Sequence, residues 1–146
     1  MLTLVALAGC GSTTSTSSFN AGHLPLVQGS TIITQSKKCD RGNNPYCAIE
    51  AVVVNRRFTS SGEFVASQVR LLHQLGWKYS AGDDGFEVAA NSPDQKVRLT
   101  FAPAVDDLIG LDEHWIQRTW PIWAALDQTM LSRTPAMSIM LEAGPT

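Results

Sequence analysis

Apolar residues alternate with polar or small residues in several stretches of the chain, a pattern typical of strands with one buried face. It predicts strands at about 47–58, 86–91, 96–101 and 136–142, and a shorter extended stretch that begins at Trp77. Ser92-Pro93-Asp94 supplies a turn between the second and third strands, which should therefore form an antiparallel hairpin. The inward-facing positions include Ile49, Ala51, Val53, Val97, Leu99, Phe101, Met137, Ile139 and Leu141.

Two other stretches have helical spacing. The first begins at Ser60-Ser-Gly-Glu63, which has the form of a capping box, and Gly76 is placed to end it in a left-handed turn. The second runs from about Val105 to Leu131, with a kink or a restart near Pro121. The apolar sides of the two helices are formed by Phe64, Val65, Val69, Leu72 and Leu75 and by Ile116, Trp120, Trp123, Leu126 and Met130.

The elements therefore follow the order strand, helix, strand, strand, helix, strand. This order resembles the split β-α-β of ferredoxin-like domains, an α+β fold in which an antiparallel βαββαβ sheet carries both helices on one face. The resemblance covers about Cys47 to Glu142 and depends on element order alone. Because such a fold hosts many unrelated activities, it implies no particular function.

The first nine residues are mostly apolar or small and end in Leu7-Ala8-Gly9-Cys10. This tetrapeptide resembles the lipobox of bacterial lipoproteins, which implies a signal peptide removed before Cys10 and a lipid attached to its thiol. No Lys or Arg precedes the apolar run, so either the true start lies upstream of Met1 or the signal is weak. The alternative is that Leu2 to Ala8 is an ordinary buried segment.

The residues after Cys10 are rich in serine and threonine, a composition typical of a flexible linker. We therefore expect a signal peptide at 1–9, a lipidated linker at 10–37 and a single α+β domain at 38–146. Within the linker, only the patch Ser30 to Thr34 has the character of a short strand. The apolar run before Cys10 is too short to span a membrane, so anchoring would depend on the lipid.

Cys39 and Cys47 enclose a loop of turn-forming residues. If Cys10 carries a lipid, the odd count of three cysteines becomes one anchor and one pair, which suits an oxidising compartment outside the cytoplasm. The alternative, a metal site, lacks the close spacing and the second ligand pair that zinc sites show. We therefore expect a disulfide between Cys39 and Cys47 and no bound metal or cofactor.

The chain has 146 residues, of which 44% are hydrophobic and 16% charged, and its net charge is −2. This size suits one domain with a modest tail. Its 11 basic residues are mostly scattered, so the sequence shows none of the basic stripe that nucleic-acid binding requires.

Catalytic groups are hard to identify. His73 and His114 lack the partner at i, i+4 that a zinc helix has, and adjacent acidic residues point away from each other. The acidic pairs are Asp83 and Asp84, Asp106 and Asp107, and Asp112 and Glu113. They match turns and helix starts better than the paired carboxylates of a glycoside hydrolase.

Trp115, Trp120 and Trp123 lie close together in the second helical region, and Trp77 could approach them. Such a cluster either fills the core or forms an aromatic platform for a ligand, and Trp115 is the one expected to be exposed. The sheet face away from the helices would carry Val52, Val54, Arg98, Thr100, Ser138 and Met140. Either this face is open for a partner or the segment around Ser30 to Thr34 covers it.

These features predict a non-enzymatic cell-envelope protein, anchored by lipid on the extracytoplasmic side of a membrane. It would bind a protein or a wall polymer through the open sheet face or the aromatic helix, with Val52, Val54, Arg98, Met140 and Trp115 as candidate contacts. The alternative is a wall-modifying hydrolase that uses acidic residues and His114.

Overall fold

A computed structural model of the chain describes residues 20–40, 46–81, 87–104 and 134–143. It contains one six-stranded sheet, one α-helix and a short 3-10 helix within these ranges. The elements are the 3-10 helix Ala21–His23, then β1 (Thr31–Asp40), β2 (Tyr46–Val54), α1 (Ser61–Gln74), β3 (Lys78–Ala81), β4 (Val88–Asn91), β5 (Val97–Pro103) and β6 (Ala136–Ala143).

The strands lie in the order β1-β2-β6-β5-β4-β3, and every neighbouring pair is antiparallel. The predicted hairpin between β4 and β5 is confirmed, with Val88 opposite Phe101. Strand β6 lies between β2 and β5, where Met140 is opposite both Glu50 and Thr100. Helix α1 connects β2 to β3, and β6, β5 and β4 all lie between those two strands.

The ferredoxin-like βαββαβ prediction is wrong. The sheet has six strands, because residues 31–40 and 78–81 add one strand at each edge, and the described residues contain a single α-helix. The chain therefore folds into a sheet-dominated domain. The second predicted helix, at about 105–131, lies outside the described residues.

The predicted start of the domain at residue 38 is too late, because β1 begins at Thr31 and pairs with β2 along its length. Its polar sequence suits its position at the edge of the sheet, where Gln35 and Lys37 are exposed while Ile32 packs against the core. The ladder has an irregularity at Ile33, whose side chain is 42% exposed. Residues 31–37 therefore belong to the sheet.

Helix α1 begins and ends where the sequence predicts. The Ser60 hydroxyl accepts from the backbone N–H of Glu63 at 3.1 Å, while the Glu63 carboxylate accepts from the backbone N–H and the hydroxyl of Thr59. These two hydrogen bonds lower the pKa of Glu63. At the other end Gly76 has a φ of 78°, and the N–H of Trp77 reaches back to the Leu72 carbonyl at 3.0 Å, which closes the helix.

The first face of the sheet packs against α1 and forms the core, as the alternation predicts. Its sheet members are Ile49, Ala51, Val53, Ala90, Leu99, Phe101, Met137, Ile139 and Leu141, and the helix contributes Phe64, Val65 and Leu72. The Phe64 ring stacks on Phe58 with 5.3 Å between centroids. Leu75, which the helical spacing places on the same side, is 47% exposed.

The opposite face, here called the second face, is buried as well. Val52 and Ser138 are fully buried and Met140 is 5% exposed, and Glu50 is buried beside them. Of the two alternatives for this face, the one that leaves Val52 and Met140 open to solvent is wrong, and residues 31–34 lie in edge strand β1 beside the face. This face carries both apolar and small polar residues on central strands. Such a mixture occurs on solvated and on buried sheet faces, so the sequence could not predict which of the two this face is.

Candidate functional site

Cys39 and Cys47 form the predicted disulfide. They are opposite each other in the β1–β2 ladder with their Cα atoms 4.0 Å apart, so the pairing of the strands brings the sulfurs together. Cys39 is exposed and Cys47 is half-buried. The bridge fastens edge strand β1 to the sheet near the loop that joins the two strands.

The predicted lipidation site, Cys10, lies outside the described residues. The part of the chain that the structure describes has no helix that is long and apolar enough to cross a membrane.

A pocket of about 310 Å³ lies at the end of the sheet where β5 begins and β6 ends. Its volume is near the lower limit for small-molecule sites. Four separate parts of the chain build it: the segment around the 3-10 helix, the residue before β3, the β4–β5 turn with the start of β5, and the end of β6. The lining comprises Asn20, His23, Leu24, Pro25, Trp77, Ser92, Lys96, Val97, Leu141 and Ala143.

The floor and walls of this pocket are apolar. Leu141 is 3% exposed, and the half-buried side chains of Leu24, Trp77 and Val97 pack against the same core cluster. Trp77 occupies its position because the end of α1 turns the chain at Gly76 and directs the next residue toward the core. The interior therefore suits an apolar group.

The rim carries the ionisable residues. His23 and Lys96 are both exposed, both line the pocket and both are basic, and none of the lining residues is acidic. Lys96 approaches Asp94 at 3.9 Å, but the two side chains are 80% and 58% exposed, so this ion pair is weak. The mouth of the pocket thus favours an anionic group.

The β4–β5 turn holds Lys96 in place through hydrogen bonds of its own. The Ser92 hydroxyl donates to Asp94 at 2.6 Å and accepts from the backbone N–H of Val97 at 3.0 Å. Asp94 also accepts from the backbone N–H of Lys96 at 3.2 Å. The hydrogen bond from Ser92 is the main cause that lowers the pKa of Asp94, and the Lys96 N–H adds to it.

Buried amide side chains position the remaining wall, which belongs to the chain before β1. Gln68 on α1 bonds to the backbone of Pro25 and Val27, and Asn55 bonds to the carbonyl of Gln28 and the hydroxyl of Ser30. Both amides are at most 1% exposed. They give hydrogen-bond partners to backbone groups of Pro25, Val27 and Gln28, and so they fix residues 25–30 on the domain.

On the second face, Tyr46 donates a hydrogen bond to the carboxylate of Glu142, and the Arg98 guanidinium lies 4.0 Å from the same carboxylate. Burial is the main cause that raises the pKa of Tyr46, and the Glu142 carboxylate raises it further. Arg98 acts in the opposite direction. This cluster joins β2, β6 and β5, which suits a structural role.

The described members of the predicted binding set lie on the second face of the sheet, and none of them lines the pocket. Val52 and Met140 are buried, Val54 is half-buried, and Arg98 is exposed and pairs with Glu142. His73 is exposed in the last turn of α1. Trp115, Trp120, Trp123, His114 and the acidic pairs lie outside the described residues, while Trp77 lines the pocket.

Sequence reasoning missed the pocket and the two amides that support it. Gln68 gave a signal, because it occupies a position on the apolar side of α1 between Val65 and Leu72. A polar residue at such a position must find partners, although its spacing does not say where. His23 lies among apolar and small residues and Lys96 among mostly polar ones, and neither belongs to a motif, so they gave no signal.

The described residues therefore form a small antiparallel sheet domain with a disulfide and an apolar pocket that has a basic rim. In the described ranges, no three His, Cys, Asp or Glu side chains lie close enough together to hold a metal ion. No protein-family model matches the chain, and neither does any curated protein or solved structure.

Proposed function

We propose that this chain is a non-enzymatic binding protein of the cell envelope, anchored to the extracytoplasmic side of a membrane by lipid on Cys10. The observation that carries the proposal is the bridge between Cys39 and Cys47. It uses two of the three cysteines of the sequence, so no further cysteine of this sequence remains to pair with Cys10. Disulfides persist outside the cytoplasm, which fits a position in the envelope. The lipobox-like Leu7-Ala8-Gly9-Cys10 supplies a use for that third thiol.

The distance along the chain sets how far a lipid on Cys10 would let the domain lie from the membrane. Ten residue steps separate Cys10 from Asn20, where the described domain begins, and such a segment extends at most about 35 Å. An acyl anchor on Cys10 would hold the domain near the bilayer surface. The pocket, built partly from residues 20–25, would then face envelope components within that reach.

A binding role fits the described residues better than the hydrolytic alternative. The pocket has apolar walls and two basic groups at its rim, whereas hydrolysis of a glycosidic bond needs two carboxyl groups placed on either side of it. The envelope partner, a protein or a wall polymer, would be recognised without chemical change.

The anchor is tested by intact mass of the protein recovered from the native membrane fraction, with and without reductant. We expect a chain that begins at Cys10 and carries a diacylglycerol-sized gain, with a further two-proton gain on reduction. Cys10→Ser should move the protein to the soluble fraction, while the double variant Cys39→Ser with Cys47→Ser should stay with the membrane. An unmodified chain that still begins at Met1 and washes off the membrane would overturn the proposal.

A further inference from the structure

The pocket presents an apolar interior below a basic rim, and this combination restricts the class of ligand. The interior is formed by Leu24, Trp77, Val97 and Leu141, and the rim carries His23 and Lys96. A ligand that uses both parts has an apolar body and one anionic end. A volume of about 310 Å³ limits it to a small molecule or a single chain end.

The hydrogen-bonding groups of the pocket narrow the class further. The Ser92 hydroxyl is engaged with Asp94 and Val97, and the Asn20 side-chain oxygen accepts from the backbone N–H of Gly22 at 2.9 Å. A peptide end would bring amide groups into an apolar pocket that offers them few partners, which costs free energy for each unsatisfied group. An acyl chain brings no such groups.

We propose that this pocket binds a medium-chain fatty acid, with the acyl chain against Trp77, Val97 and Leu141 and the carboxylate between His23 and Lys96. The proposal goes beyond the protein or wall-polymer partner inferred above, because it assigns a separate small-molecule ligand to this pocket, and it does not depend on the lipid at Cys10.

The test uses the full chain carrying Cys10→Ser, and the probe is decanoate. The control ligand is decyltrimethylammonium, a cation with an alkyl chain of equal length. Both are used below their critical micelle concentrations. Isothermal titration calorimetry should show saturable binding of one decanoate per chain and much weaker binding of the cation. Lys96→Glu should weaken decanoate binding about two-fold or more, since it removes one exposed charge interaction and adds a repulsive one. The matched control Lys78→Glu, an exposed lysine outside the pocket, should leave the affinity unchanged.

Val97→Trp tests the interior, because an indole at this position fills the space that the acyl chain would occupy. Binding should be lost while circular dichroism and the thermal midpoint show that the domain stays folded. If Val97→Trp unfolds the chain, the pair Lys96→Glu and Lys78→Glu still decides, because both positions are exposed.

Equal affinities for decanoate and the cation, or an unchanged affinity in Lys96→Glu, would overturn the proposal. The proposal would also be overturned if decanoate does not bind and a peptide with an apolar C-terminal residue binds instead, with Val97→Trp abolishing the binding of that peptide. That last result would retain the binding role and reject the fatty acid. Failure of the anchor is detected separately, by the mass of the membrane-derived protein.

Discussion

The side-chain amide of Gln68 donates to the carbonyl oxygen of Pro25 at 2.7 Å, and its oxygen accepts from the backbone N–H of Val27 at 3.1 Å. A single buried side chain on α1 thus satisfies two backbone groups more than forty residues earlier in the chain. The contact holds the pocket wall that contains Leu24 and Pro25 against the helix. It makes the segment before β1 part of the domain.

Gln68→Leu should lower the free energy of unfolding by about 1–3 kcal/mol, because two hydrogen bonds are lost and the backbone groups at Pro25 and Val27 remain without their partner. Urea denaturation measures this change. Gln74→Leu, at an exposed position of the same helix, should stay within about 0.5 kcal/mol of the parent chain. Equal effects of the two substitutions would show that Gln68 does not hold the segment.

Replacing Cys39 and Cys47 together by serine should lower the free energy of unfolding by about 2.5 kcal/mol, the chain-entropy value for a loop with a sequence separation of 8. Denaturation of oxidised and variant protein gives the difference. Cys10→Ser is the matched control and should leave stability unchanged. A similar loss in that control would mean that Cys10 takes part in the pairing.

Val52→Asp and Met140→Asp should each lower the free energy of unfolding by about 3–5 kcal/mol, because both side chains are buried and the new carboxylate would lack a partner. Thermal and urea unfolding would detect this loss. Ile33→Asp, at a 42% exposed position of β1, should have a much smaller effect. Stable variants that lose only partner binding would instead show that the second face is open.

Tyr46 should make stability fall at alkaline pH. Its pKa is raised in the folded protein above the ordinary value of 10.0, so it keeps its proton where the unfolded chain loses it. Its contribution is complete below pH 10.0 and declines as the pH rises above that value. Urea unfolding between about pH 8 and pH 11 should therefore show a steeper alkaline decline for the parent chain than for Tyr46→Phe. Parallel curves would contradict the burial and hydrogen bonding of this phenol.

Local patterns made much of the domain predictable. The alternation in β2, β5 and β6 identified strands and their inward residues, and Ser60, Glu63 and Gly76 marked both ends of α1. These signals depend on neighbours within a few residues, where backbone geometry fixes which side chains share a face. The Cys39–Cys47 bridge was predictable for the same reason, since a short loop joins the two residues.

Long-range pairing determined the rest. The position of β6 between β2 and β5, the inclusion of polar β1 at the edge, and the burial of Val52 and Met140 follow from contacts between distant segments. The same pattern of alternation is compatible with several strand orders, so it could not choose among them. The pocket also required tertiary structure, because His23, Trp77, Lys96 and Leu141 meet only after four distant parts of the chain have packed together.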